Sequence, residues 1–165
     1  LLEVCGTYRE TPLLRFGQKG RGVTNLTGEK RYEAQLIEAM TATARAAGLD
    51  VPFYLMLADE AAMRYTVYVS TGTGADLPPG FDMSFDAALR TCNIEFEAKR
   101  ASGRLAAADV RWIDARAAEA YMRASIAAGQ REGQFKPALL QYARELRMPL
   151  ADLEAFARPL AAATR

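Results

Sequence analysis

Two short apolar runs, set close together, constrain this chain more than anything else in it. FYLMLA spans residues 53–58 and RYTVYVS follows after a short loop, both rich in strand formers. In the second run Tyr65, Val67 and Val69 alternate with Thr66, Tyr68 and Ser70, which is the two-residue period of a strand. A connection this short joins neighbouring strands antiparallel, so a paired hairpin is expected. The first run is also the longest apolar stretch, far short of the roughly 20 residues that a membrane span needs.

Helical periodicity surrounds the pair. Tyr32, Leu36, Met40 and Ala44 recur every four residues, predicting a helix over 31–47 that Gly48 ends. Ser84 is expected to cap a second helix over 85–102, with Phe85, Leu89, Cys92 and Phe96 on one face. Cys92 then reads as core rather than as a nucleophile. Val110, Trp112 and Ile113 mark a third strand over 109–114. An Ala-rich helix is expected over 117–128, a further helical stretch over 138–147, and a short segment over 150–157. At the start of the chain the pattern reads strand over 1–6, turn over 10–12, strand through Phe16. The fold class expected is α+β: a small three-stranded sheet, antiparallel or mixed, with helices packed on it.

Composition narrows the chemistry. The 165 residues suit one domain, or a domain with a piece of a neighbour, and 21 basic against 20 acidic side chains leave a net charge of +1. No long-range field would draw nucleic acid or an anionic membrane, so neither is expected as a partner. The chain has no histidine, which excludes Ser-His and Cys-His pairs and imidazole metal sites within it. Cys5 and Cys92 lack the spacing of a disulfide framework or a zinc site, so no metal ligands are assigned and a reducing, cytoplasmic setting is expected. The sequence opens at Leu1, inside an apparent strand, and is expected to be a piece of a longer protein.

Three irregular segments could carry function. GQKGRG, residues 17–22, has three glycines in six residues and reads either as a hinge or as an ordinary tight turn. TGTGADLPPGFD, residues 71–82, has the glycines of a phosphate loop, but Pro78 and Pro79 intervene before the next helix and a plain connection is expected. Lys30, after Thr27-Gly28-Glu29, and Lys136, within Gly133-Gln134-Phe135-Lys136-Pro137, sit on irregular backbone beside glycine and proline. Each could hold a compact positive charge against a phosphate, or simply be solvated.

TPLLRFGQKGRGVTNLTGEKRYEAQLIEA resembles the end of the nucleotide-binding domain and the linker of the auxin-responsive-promoter family of acyl acid-amido synthetases, members of the adenylate-forming superfamily. FDAALRTCNIEFEAKRASGRL resembles the family helix bearing Asp86, Leu89, Asn93, Phe96 and Arg100 at matching spacing. GQREGQFKP resembles a late family loop through Gln134, Phe135, Lys136 and Pro137. The likeness runs in register from about Thr11 to Leu140. The chain departs from the family's plant members at Phe96, where Tyr is usual, at Asp114-Ala115-Arg116, where Gly-Thr-Phe is expected, and after Pro137, where no Arg follows.

The resemblance implies a two-step reaction: a carboxylic acid attacks the α-phosphate of ATP, and an amine such as an amino acid then takes the acyl group from the adenylate. It implies that residues 1–21 are the end of an N-terminal nucleotide-binding domain and a hinge, and that residues 22–165 are a mobile C-terminal domain. Lys136 is then the first choice and Lys30 the second for the catalytic cation, with Lys19, Arg21 and Gly28 near the nucleotide. ATP and Mg2+ would be held mainly by the N-terminal domain, the principal partner. The loop over 23–29 would border the path of the amine, although Thr24, Asn25 and Glu29 equally suit helix-entry capping. The isolated chain is expected to fold but to turn over no substrate. Two other readings stay open: the C-terminal domain of an acyl-CoA ligase, and a non-catalytic module binding a partner through exposed Tyr65, Tyr68 and the run over 53–57.

Overall fold

The computed structural model describes residues 2–9, 11–16 and 22–158. Strands β1 (Leu2–Tyr8) and β2 (Thr11–Phe16) form an antiparallel hairpin, and the two-residue strands β3 (Val23–Thr24) and β4 (Arg31–Tyr32) form another. Helix α1 (Glu33–Ala47) follows, then β5 (Phe53–Asp59), β6 (Arg64–Ser70), α2 (Phe81–Thr91), α3 (Ile94–Ala101), β7 (Asp109–Ile113) and α4 (Arg116–Ala127). The chain continues through β8 (Leu140–Tyr142), α5 (Leu150–Glu154) and β9 (Ala157–Arg158). No helix is long and apolar enough to cross a membrane among the described residues.

The α+β class holds, but the main sheet has five strands rather than three, in the order β8-β5-β6-β7-β9. β5 and β6 pair antiparallel as expected, while β8 and β7 join their outer sides in parallel and β9 closes the far edge antiparallel. Successive side chains leave a strand on opposite faces. Met56, Tyr65, Val67, Val69 and Trp112 therefore meet Leu36, Met40, Phe85, Leu89 and Phe96 from α1 to α3 on one face. Phe53, Leu55, Leu57 and Tyr68 meet Tyr121, Met148 and Leu153 from α4 and the C-terminal segment on the other. A sheet covered on both faces explains why 53–58 is apolar throughout.

Three helix boundaries differ from expectation. Residues 85–102 are two helices: α2 starts at Phe81 behind Gly80, in the left-handed region at φ 80°, which leaves Ser84 inside the helix. The chain breaks at Asn93, whose side chain accepts the Phe96 N–H (2.9 Å) and starts α3 afresh. Residues 138–147 are strand β8 and a 3-10 turn, Ala143–Glu145, instead of a helix. The β5 edge needs a partner, and pairing Met56–Ala58 with Leu140–Tyr142 satisfies backbone groups that a helix there would have left open. Residues 31–32 are likewise strand, with α1 beginning at Glu33.

Tyr65 and Tyr68 are each 1% exposed and Phe53–Leu57 is largely buried, so the surface module built on these residues is overturned.

Candidate functional site

Lys136 is placed by its neighbours on both sides. After α4 the chain turns at Gly129, in the left-handed region at φ 93°, and makes a 3-10 turn, Glu132–Gln134. Phe135 then packs edge-on against the Tyr121 ring, with centroids 6.3 Å apart. Gln130 Nε2 donates to the Lys136 carbonyl (3.1 Å), and Pro137 leads into β8. The Lys136 backbone is thereby fixed while its side chain is exposed, with no hydrogen bond or ion pair to a described residue.

The side chain lines a cavity of about 280 Å3 together with Gly22, Tyr121, Gln141, Glu145 and Arg147. Gly22, the last residue of GQKGRG, is buried at φ 78° and its carbonyl accepts the Glu33 N–H (2.8 Å). The Glu33 carboxylate in turn accepts the Leu139 N–H (3.1 Å). One acidic residue at the start of α1, through its backbone N–H on one side and its carboxylate on the other, thus ties the exit of the glycine segment to the residue that enters β8. Gln141, buried against the cavity, donates to Tyr121 Oη and to the Ala138 carbonyl, both at 3.2 Å.

Lys30 and Gly28 are held in a separate loop, over 25–30, outside this cavity's lining. The organiser of that loop is Glu29, 1% exposed. Its carboxylate accepts the N–H groups of Leu26 (2.8 Å) and Thr27 (2.7 Å), the Thr27 hydroxyl (3.0 Å) and the Tyr65 hydroxyl (2.5 Å). Burial pushes the Glu29 carboxyl up, but the bonds from Tyr65, Leu26 and Thr27 together outweigh it and hold it below its ordinary value. Burial, reinforced by the Glu29 carboxylate, drives the Tyr65 phenol well above its usual range. The Tyr65 oxygen also bonds Thr24 Oγ1 (3.1 Å). Gly28 adopts φ 106°, and its N–H is taken by Asn25 Oδ1 (2.5 Å). Lys30 follows at φ 30°, an uncommon value for a residue with a Cβ, with its side chain exposed.

The residues at family spacing in α2 and α3 fix this loop from below. Asn93 Nδ2 donates to the Glu29 carbonyl (3.0 Å), the Lys30 carbonyl (3.2 Å) and Gln35 Oε1 (3.1 Å). Phe96 lies under the Arg31 guanidinium, 3.9 Å from its ring centroid. Burial pulls Arg31 down to about 10 against the opposing pull of Tyr65, Cys92, Glu29 and Asp86. Asp86 and Arg100 pair at 2.9 Å and lock α2 to α3, and Leu89 is fully buried. Tyr142 Oη accepts the Asn25 N–H (3.0 Å), fastening the same loop to the end of β8.

Lys19 and Arg21 lie outside the described residues, as does most of GQKGRG. Thr24 and Glu29 do not cap α1; they brace the preceding loop, and Glu33 and Gln35 serve the helix entry. Cys92 is half-buried beside the core, as expected. Arg147 and Glu145 were not legible as site residues, because nothing in their spacing from Lys136 marks them.

Residues 34–145 match the family model described as the GH3 family C-terminal domain. No curated protein matches the sequence. Among solved structures the chain is similar to "GH3.15 acyl acid amido synthetase", with a TM-score of 0.73 at 17% identity over 95% of this chain and 30% of that one. It is similar also to "AtGH3.15 acyl acid amido synthetase in complex with 2,4-DB", with a TM-score of 0.71 at 17% identity over 95% of this chain and 29% of that one. This chain therefore spans under a third of the length of either structure.

Proposed function

This chain belongs to the GH3 family, matching the model of its C-terminal domain, and we propose that it is the mobile C-terminal domain of an ATP-dependent acyl acid amido synthetase. Residues 22–165 would be the moving body and residues 1–21 the end of an N-terminal domain with the hinge. The observation that carries this reading is that Lys136 and Gly22 line one cavity. A lysine that must be swung against a nucleotide held by another domain has to sit near the pivot, on the pivot's side of the fold. Had Lys136 lain beyond the five-stranded sheet from Gly22, no rotation at residues 17–22 could present it.

The β1–β2 hairpin supports the domain division. It pairs only with itself among the described strands, and Val4, Tyr8 and Leu13 are 63%, 64% and 48% exposed. An isolated two-stranded hairpin is marginal in water, so this one calls for a further protein surface to lie against. An N-terminal domain supplies it.

ATP brings the α-phosphate on which the carboxylic acid is activated. This chain contributes an ammonium on an anchored backbone, Lys136, where negative charge grows on the phosphate oxygens during attack, and a cation there stabilises the transition state more than the bound reactants. Rotation at residues 17–22 would then withdraw Lys136 and bring the loop over 25–30 toward the acyl group, where an amine such as an amino acid enters. The chain alone, without an N-terminal domain to hold the nucleotide and the acyl group, would turn over nothing.

The test is Lys136→Ala in the full-length protein, read by acid-dependent ATP–pyrophosphate exchange. Loss of a transition-state donor costs about 3 kcal/mol, on the order of a hundredfold in rate. Exchange that survives within about threefold would remove Lys136 from the role.

A further inference from the structure

Arg147 and Arg31 are the two arginines among the described residues that are at least partly buried and pair with no carboxylate; Arg31 lies in the core over Phe96, while Arg147 faces a cavity. Arg90, Arg100, Arg111, Arg116, Arg123 and Arg144 each pair with a carboxylate. Arg147, half-buried, does not: its Nη1 donates only to neutral acceptors, the Ser125 carbonyl and Gln130 Oε1, both at 3.4 Å. A guanidinium taken partly out of water is normally matched by an anion, since neutral acceptors at that distance compensate its lost hydration poorly. The same cavity holds Lys136, which has no carboxylate partner among the described residues. Among the described residues of the lining Glu145 is the one acidic side chain, against the two cations Lys136 and Arg147.

We propose that Arg147 and Lys136 together form a preformed site for a phosphate oxyanion, present in this chain before any other domain closes on it. The two differ in kind: Arg147 offers a planar fork held from behind by Gln130 and Ser125, and Lys136 a point charge at the mouth. Gln130 links them, since its Oε1 accepts from Arg147 while its Nε2 donates to the Lys136 carbonyl. Arg147 thus binds and orients the phosphate chain of the nucleotide while Lys136 meets the reacting phosphorus. The inference rests on the nucleotide reading above and adds a second residue to it.

Inorganic pyrophosphate and, separately, acetate are titrated into the 165-residue chain at low and high salt, following backbone amide resonances. Saturable pyrophosphate shifts at Gly22, Gln141 and Glu145, weakened about tenfold in Arg147→Gln and less in Arg147→Lys, are the expected result. The thermal midpoint of Arg147→Gln is measured alongside, and Arg147→Lys keeps the test informative should the glutamine variant unfold. Binding of acetate as tight as that of pyrophosphate overturns the phosphate assignment in favour of a carboxylate. Absence of saturable binding to the wild-type chain, or equal binding to Arg147→Gln, overturns the site. Pyrophosphate exchange by the full-length protein separates the two readings: loss in Lys136→Ala with none in Arg147→Gln leaves the proposed function standing and removes Arg147, and the reverse pattern removes Lys136.

Discussion

The guanidinium of Arg31 lies over the Phe96 ring at 3.9 Å from its centroid, and both side chains are 0% exposed. Nη2 donates to the Leu89 carbonyl (3.3 Å), but Nε and Nη1 have no acceptor. The face of the ring is therefore a direct contact of this buried charge, beside the longer-range pull of Glu29 and Asp86, and a desolvated pair of this kind is worth about 2 kcal/mol. A double-mutant cycle on Arg31→Met and Phe96→Leu, read by chemical unfolding, is expected to give a coupling of that size. A coupling below about 0.5 kcal/mol would mean the two merely pack.

This pairing shows where sequence reading succeeds and where it stops. The spacing of Phe96 with Phe85 and Leu89 predicts a core position, and it is there; that it faces an arginine from a strand 65 residues earlier in the chain follows from tertiary contact alone. The β5–β6 hairpin was legible because its period is local. β8 was not, because ALLQYAREL suits a helix by propensity and becomes a strand only when the open edge of β5 is offered to it. That error also hid Arg147. A helix over 138–147 would have carried it about 13.5 Å along its axis from the position after Pro137. The strand and 3-10 turn instead bring it back to the cavity of Lys136.

Glu29 makes the fold sensitive to acid. Its folded carboxyl titrates below its ordinary value of 4.5, so the stabilisation is complete above that value and is lost as pH falls through the depressed one. Unfolding free energy measured from pH 7 downward is expected to drop in that acid range. In Glu29→Gln the drop should shrink. The amide also turns a donor toward either the Leu26 or the Thr27 N–H, which costs about 1–3 kcal/mol at neutral pH. An unchanged acid profile in this variant would assign the sensitivity to other carboxylates.

Asp86 and Arg100 form a two-pronged pair whose side chains are 11% and 17% exposed, and Asp86 Oδ1 also accepts the Ala108 N–H (3.3 Å). Arg100 Nη1 donates to the Leu105 carbonyl (3.0 Å), so the pair joins α2, α3 and the segment entering β7. Asp86→Asn leaves the guanidinium uncompensated and is expected to cost about 3 kcal/mol in urea unfolding. Arg100→Lys keeps the charge but not the fork, and should cost less. Equal losses in the two variants would show that the hydrogen-bond geometry, and not the charge, carries the contribution.

Lys30 separates backbone strain from function. Its φ of 30° is a region that a Cβ disfavours by about 1–2 kcal/mol, and it is held there by Asn93 Nδ2 on the Glu29 and Lys30 carbonyls. Lys30→Gly should therefore offset its own entropy cost and leave the chain as stable as wild type or up to about 1 kcal/mol more so, while Lys30→Ala keeps the strain. If the ammonium serves the nucleotide or the incoming amine, both variants of the full-length protein lose the same activity despite their different stabilities. Activity kept at the wild-type level in both variants would assign the residue a purely structural part and leave Lys136 as the cation of the site.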